Sequence, residues 1–285
     1  MSSKLVPSDP ASVMVIRDVV PRVITTLSVP FWRFGRVKIG GRGTIGTTSQ
    51  SLTLSTVRLE SGALAVFSPV ALTEDVKRKV SEMGEVKYIA ALDNEHHIFL
   101  GPWHSEYPNA QVMGPEMLPE KRAKQNNENV PFSVLFSASK PVTSISPEFD
   151  AEFDWEYVPS HVNKEVVFHH RPTRTLIQAD LMFNLPATEQ FSKSGVDPNT
   201  GIFSKIFNAL QNTKGDAKWQ QRTIWYGTSA KDRNGFSKSM ERIDKWGFER
   251  IISCHGDVIE GEGKGIFEKV MKWHLDAAKA QNKSA

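Results

Sequence analysis

The sequence predicts a mixed α/β fold with a strand-rich first half, a mixed second half, and helices enclosing sheets. Two observations carry that prediction. The stretch "VMVIRDVVPRVITTLSVPFWRFGRVKIGGRGTIGTTSQSLTLSTVRLESGALAVFSP", residues 13–69, is rich in β-branched and aromatic residues and punctuated by Gly, Pro and Ser, which suits a meander of short strands. Beyond residue 200, "GIFSKIFNALQ" and "GFSKSMERIDKWG" switch to the spacing of amphipathic helices. No internal repeat or long low-complexity linker interrupts the 285 residues, so one domain over 1–285 is expected, frayed at about 1–12 and 280–285.

The local signals run as follows. In "STVRLESGALAVFSP" a strand, a Ser61-Gly62 turn and a second strand ending at Pro69 make a hairpin. In "LTEDVKRKVSEMG" Thr73 caps a helix whose apolar face holds Val76 and Val80 and whose end is Gly84. The strand "EVKYIAALD" follows, and its apolar run from Val86 to Leu92 stops just ahead of two adjacent histidines. "WHSEYPNAQVMGPEML" reads as a short helix or turn feeding a strand, and "PEKRAKQNNENVPFS" as a polar loop. Two strand-like runs, Glu165 to His169 and Thr175 to Ala179, are joined by a turn containing Pro172. "FERIISCHGD" is a buried strand ending in a His, and "GIFEKVMKWHLDAAKAQ" a C-terminal helix with Ile266, Val270 and Trp273 on one face.

Composition narrows the function classes. Thirty-five Lys and Arg stand against 32 Asp and Glu, a net charge of +3, and no basic stripe is interleaved with aromatics. That argues against dedicated nucleic-acid binding. A lone cysteine, Cys254, excludes an internal disulfide and thiolate zinc clusters, so a metal would need histidines and carboxylates. The N-terminus lacks the apolar core of a signal peptide, and no run of about eighteen apolar residues exists to span a bilayer. The expectation is an intracellular, cytoplasmic protein with a small-molecule substrate and with neither nucleic acid nor membrane as partner.

Several histidines fall at strand ends or in the turns that follow, where an α/β scaffold presents polar groups to a ligand. His96 and His97 follow the Val86 strand, His161 precedes the Val166 strand, Asp180 follows "TRTLIQA", and His255 follows "ERIISC". Imidazole and carboxylate from separate elements suit zinc, and also iron and manganese. Each residue alone also has a plain structural reading as a half-buried hydrogen-bonding group. Glu95 and Asp93 are candidates for a general base or for orienting an imidazole N–H. Asp257 could orient His255 or cap the next turn, and His104 and His274 read as surface residues. The glycines of "KIGGRGTIG" lack a following Lys-Ser/Thr and read as a turn, not a phosphate loop. Cys254 adjoins His255, but strand neighbours point to opposite faces, which argues against a nucleophile and its base.

The order of these segments resembles the metallo-β-lactamase-like superfamily. "VKYIAALDNEHHIFLGPWHSEYPNAQVMGP" resembles its metal-binding strand, turn and helix, "VPSHVNKEVVFHHRPTRTLIQADLMFN" its later His and bridging Asp, and "IISCHGD" its last strand and terminal His. The whole chain, from about Asp18 to Leu275, is similar to a domain-of-unknown-function branch, through "RFGRVKIGGRGT", "SPVALT", "EHHIFLG", "RPTRTLIQAD" and "HGD". The resemblance implies an αββα sandwich, two mixed sheets face to face with helices outside. With His97 as the last His of HxHxDH, His96 stands in place of the Asp, Asn94 of the second His and Leu92 of the first. The first metal site thus loses two of its ligands. One mononuclear site is implied, built on His97, Asp180 and His255, with His96 close by and His161 as a further ligand, for which His169 or His170 are alternatives. The implied cofactor is a divalent metal, zinc first and iron or manganese as alternatives.

Such a site points first to metal-assisted hydrolysis of an ester, lactone or similar small-molecule bond. A non-haem iron oxidoreductase is the alternative, and a non-catalytic binding protein that has lost the metal site is the third reading. The loops "QSLTLS", "PEKRAKQNNENVP" and "PATEQFSKSGVDPNTG" could shape a pocket, with Trp32, Phe34, Trp103 and Phe183 as lining or as core.

Overall fold

The structure is a computed structural model and describes residues 6–47 and 62–284. The first strand of the expected hairpin, its Ser61 and the loop "QSLTLS" lie outside the described residues. In chain order the elements are α1 (Pro10–Val13), β1 (Val15–Val20), β2 (Ile24–Val29), β3 (Trp32–Arg33), β4 (Val37–Lys38), β5 (Gly41–Thr47) and β6 (Ala63–Phe67). Then follow α2 (Glu74–Met83), β7 (Glu85–Ala90), α3 (Leu100–Glu106), β8 (Gln111–Pro115), α4 (Leu118–Lys124), β9 (Phe132–Phe136), α5 (Pro147–Asp150) and β10 (Phe153–Val158). The last part holds β11 (Glu165–His170), β12 (Thr175–Gln178), α6 (Thr188–Phe191), α7 (Ile202–Leu210), α8 (Lys218–Thr223) and a π-helical turn at Ile224–Thr228. It closes with α9 (Arg233–Asp244), β13 (Arg250–Ser253), α10 (Gly263–Val270) and α11 (Lys272–Ser284).

Period-two alternation explains how the layers form. In β6, Leu64 and Val66 face a core shared with Val76 and Val80 of α2 and Leu100 and Trp103 of α3. The intervening Ala65 and Phe67 face Phe153, Phe168 and Ile177 of the other sheet. In that second sheet Val167, Leu176 and Ile251 turn away, onto Phe236, Met240, Phe267 and Leu275 of the C-terminal helices. One core between sheets and one outside each sheet is the αββα arrangement. The first sheet runs β1-β2-β5-β6-β7-β8-β9 and the second β10-β11-β12-β13, with β3-β4 a separate hairpin. Both are mixed: β6, β7, β8 and β9 pair in parallel, as do β12 and β13, and the other pairs are antiparallel.

The helix expected after Thr73 forms with that cap, the Thr73 hydroxyl accepting from the Val76 N–H. Gly84 ends it at φ 153°, where an added Cβ would stand 2.1 Å from the Gly62 carbonyl oxygen. Three local readings are corrected. The polar stretch from Pro119 opens as a helix, α4, as far as Lys124, and only residues 125–131 are the expected loop. The C-terminal helix is two helices broken at Met271. His274 is buried, not a surface residue. Its ring lies tilted against Trp225 and Phe236, at 4.7 and 4.6 Å, and bonds Ser229 and Ser237, so it joins the π-helical turn to α9 and α11. Among the described residues no helix is long and apolar enough to cross a membrane.

Candidate metal centre

The parallel pairs bring the C-terminal ends of β7, β12 and β13 to one edge of the sandwich. Each carries a polar loop: Asp93 to His97 after β7, Asp180 after β12, His255 after β13. Two backbone bonds cross between the sheets here, from Val166 N–H to the Leu92 carbonyl and from Asn94 N–H to the Asn163 carbonyl.

At this edge one ligand atom each of His96, Asp180 and His255 lies within 4.8 Å of the others. Nε2 of His96 is 3.1 Å from Nε2 of His255, which is 3.3 Å from Oδ1 of Asp180. The other ring nitrogens fix the tautomers. Nδ1 of His255 is 2.7 Å from the Gly40 carbonyl oxygen, which can only accept, so Nδ1 carries a hydrogen. Nδ1 of His96 likewise faces Oδ1 of Asp93 at 2.9 Å. In neutral rings both Nε2 lone pairs therefore point at each other and at a carboxylate oxygen, and only a cation between them relieves the repulsion. A tetrahedral ion with bonds of about 2.0–2.1 Å would set neighbouring donors ~3.4 Å apart. The donor set fits a divalent ion, and a proton on His96 is its metal-free counterpart.

The electrostatics agree. Burial opposes charge on His96, yet Asp93, Cys254 and Asp180 raise its imidazole well above the usual range. Burial likewise works against ionised Asp180, but His96, His255 and His161 outweigh it and hold the carboxyl well below the carboxylate range. Asp93 is also lowered, burial being overcome by His96.

Asp180 is held from all sides but one. Its N–H and that of Ala179 donate to the two oxygens of Glu165, at 3.0 and 2.8 Å, and the Asn163 side chain donates to Oδ2 at 2.7 Å. Oδ1 is buried without a hydrogen bond, its 3.3 Å approach to His255 lacking the geometry of one. Burial and the charges of Asp93 and Asp180 push Glu165 well above its usual value. His255 is fixed as firmly. Arg42, fully buried, donates to the carbonyls on either side of it, Ser253 at 2.9 Å and Gly256 at 2.5 Å, and to Glu189 at 3.1 Å. The rings of Phe31 and Phe183 lie 6.1 and 4.9 Å from the His255 ring.

The structure places the expected site residues as follows. His96, and not His97, joins Asp180 and His255: Nδ1 of His97 faces Arg122 at 3.3 Å, and burial with Lys121 and Arg122 lowers its pKa to about 4. His161 is turned inward, Nδ1 accepting from the Asn163 N–H and Nε2 facing the Asp180 carbonyl and Glu165, so both nitrogens are engaged. His169 and His170 end β11, which runs antiparallel to β12, and so lie at the sheet end opposite Asp180; they bond Asp154 and Glu152. Glu95 pairs with Lys121 at 2.6 Å on the surface, and Asp93 is buried and accepts from the His96 ring and from two backbone N–H groups, which orients that ring. Asp257 accepts from Thr188 and the Glu189 N–H, capping α6 and leaving His255 to Gly40. Burial pushes the Cys254 thiol up to about 11, too high for a nucleophile at neutral pH. Trp103 is core, its Nε1–H donating to the Val70 carbonyl.

Gly40, Arg42, Asn163 and Glu165 were not among the expected site residues. A Glu opening the apolar run "EVVF" was the one available signal for the last.

Among solved structures the chain is similar to the metal-soaked Flv1 flavodiiron core from Synechocystis sp. PCC6803, with a TM-score of 0.60 and 10% identity over 93% of this chain and 62% of that one. It is also similar to a metallo-β-lactamase from Pontibacter korlensis (TM-score 0.54, 9% identity, 92% and 99% of the two chains) and to one from Hirschia baltica (0.54, 9%, 92% and 97%). These likenesses show a metallo-β-lactamase-like fold. No sequence among the curated proteins matches the chain. Residues 42–230 match a family profile, and the chain belongs to that family, the Domain of unknown function DUF4336.

Proposed function

We propose that His96, Asp180 and His255 hold a single divalent ion, zinc first, and that the chain hydrolyses an ester, lactone or similar bond in a small molecule. The observation that carries the reading is the pair of Nε2 atoms 3.1 Å apart, each with its Nδ1 committed to an acceptor. A bound divalent ion would supply a water of lowered pKa and would polarise the substrate carbonyl. The chain's own residues do the rest. Asp93 fixes the tautomer and rotation of His96, Gly40 does so for His255, and Asn163 leaves one oxygen of Asp180 to the site. Phe31 and Phe183 exclude water from the flank of His255.

A second reading is supported by the same donor set. Two imidazoles and one carboxylate are also the ligands of non-haem iron sites, and one of the similar folds is a flavodiiron core, which makes an iron oxidoreductase the competitor.

The test is elemental analysis of protein purified without added metal, followed by zinc titration and assay on ester and lactone panels. One equivalent of zinc, with hydrolysis abolished in His255→Ala, is the expected result. Retained iron with oxygen consumption favours the competitor. Failure to bind added zinc or iron would leave His96 merely protonated and the catalytic reading dead.

A further inference from the structure

The first half of helix α7 turns its apolar side chains outward, while Phe207 packs inward on Phe183. Ile202, Phe203 and Ile206 are 70%, 53% and 53% exposed, while Ser204 is buried. Polar contacts fix that rotation: the Lys38 N–H donates to the Ser204 hydroxyl at 3.1 Å, and the Lys38 ammonium donates to the carbonyls of Asp197 and Thr200, both at 3.0 Å. The apolar face is thus held outward by the β3-β4 hairpin. That hairpin adds Phe34, 80% exposed at a positive φ of 54°.

Cations frame these side chains. The Arg33 guanidinium lies 5.5 Å over the Phe34 ring and that of Arg36 lies 5.9 Å over the Phe203 ring. Neither arginine makes an ion pair among the described residues, and Lys205 stands exposed on α7 between Ser204 and Ile206. Asp197, at the foot of the helix, is the acidic neighbour, and it faces Lys38 and Lys205.

We infer that this face docks on an anionic lipid surface. Separately projecting apolar side chains suit insertion at the level of the acyl boundary, where arginines on aromatic faces reach the headgroups. The net positive frame complements anionic lipid, which is the reason for preferring a bilayer to a second copy of this like-charged face. The sequence argument against a membrane partner rested on the missing span, and surface docking needs none. The inference does not depend on the metal reading. It bears on it in one respect: Phe207 of α7 packs on Phe183, which packs on His255.

The test is co-sedimentation of the full chain with vesicles of phosphatidylcholine plus phosphatidylserine, and of phosphatidylcholine alone. Binding to the first and much less to the second is expected. Arg33→Gln/Arg36→Gln should lower partitioning by about 10- to 30-fold, at roughly fivefold per charge, and added salt should act in the same direction. Phe203→Ser/Ile206→Ser should also lower it while circular dichroism stays that of the folded chain, because both side chains are more than half exposed and neither belongs to a core cluster. A chain that stays in the supernatant with the anionic vesicles overturns the inference. So does binding that ignores both double substitutions, or a dimer in sedimentation equilibrium that Phe203→Ser/Ile206→Ser dissociates.

Discussion

Nε2 of His96 and Nε2 of His255 face each other at 3.1 Å, and neither ring can rotate to avoid the other, because Asp93 and Gly40 hold their Nδ1 atoms. A positive charge belongs between them. In the metal-free protein a proton can take that place: burial opposes it, but Asp93, Cys254 and Asp180 raise His96 well above the usual imidazole range. Metal binding must therefore expel that proton, and affinity should fall as pH falls through the raised value. We expect about one proton released per ion bound, a tenfold weakening per pH unit on the acid side. Calorimetry in two buffers of different ionisation enthalpy measures the proton count. A pH-independent affinity between pH 5 and 8 would contradict the arrangement.

Asp93 is the residue through which His96 should be tuned. Its Oδ1 accepts from the His96 ring at 2.9 Å and from the N–H groups of Glu95 and His96, both at 2.8 Å, so it fixes the loop as well as the ring. Asp93→Asn keeps the shape and can still offer an oxygen to those N–H groups, but removes the negative charge. We expect a fold close to wild type with metal affinity lowered roughly 10- to 100-fold. Competition with a chromogenic chelator gives the affinity, and circular dichroism controls for the fold.

The sheets and the strand-end positions of Asp180 and His255 were legible because alternating apolar runs stop where polar residues begin. The choice between His96 and His97 was not. They lie in a loop with neither strand nor helix period, so adjacent side chains have no rule for which faces the cleft. Arg122 decides it, donating to the His97 carbonyl at 2.7 Å and facing its ring, and Arg122 sits on α4, a helix hidden by its polar composition. α7 shows a related limit. Its spacing announced an amphipathic helix, but period gives a face and no direction. Ser204 was buried by a hydrogen bond from another element.

Arg42 should be the most costly single loss among the site's supports. Its side chain is fully buried, and it bonds Ser28, Glu189 and two carbonyls flanking His255. Burial lowers its pKa, with Glu189 acting to restore it. Arg42→Met removes the charge but leaves Glu189 with only the half-exposed Arg17 and Ser28, and leaves two carbonyls bare. We expect a loss of about 3–5 kcal/mol in urea unfolding. Arg42→Met/Glu189→Gln should recover part of it, because the stranded carboxylate is neutralised.

Gly256 is required by its backbone. Its φ is +88°, and an added Cβ would lie 2.2 Å from the Asn184 carbonyl oxygen. The left-handed conformation alone costs a side chain about 1–2 kcal/mol, and the clash adds to that. Gly256→Ala should therefore destabilise the fold by more than ~2 kcal/mol and displace His255 from Gly40. Gly265→Ala, inside α10, is the control: beyond its own helix backbone and chain neighbours no heavy atom lies within 4 Å of the new Cβ, and thermal unfolding should be unchanged or raised, by at most about 1 kcal/mol of added helix propensity.

His274 should set an acid limit on stability that is separate from the metal centre. Its ring is buried between Trp225 and Phe236, with Ser229 3.1 Å from Nε2 and Ser237 2.8 Å from Nδ1. The Ser229 hydroxyl also donates to the Ile224 carbonyl, so it accepts from Nε2–H, and Nδ1 accepts from Ser237. Such a ring must stay neutral, and burial followed by the nearby Arg233 lowers its pKa to about 4. The unfolded chain, with an ordinary histidine near 6.5, binds the proton first as pH falls. The stability this neutral ring contributes is therefore complete above pH ~6.5, declines between there and pH ~4, and is gone below, a change of at most about 3 kcal/mol. His274→Gln keeps one donor and one acceptor without a titrating group. Urea midpoints from pH 7 to 4 should fall less steeply in that variant than in the wild type, and parallel curves would show that His274 is not the group responsible.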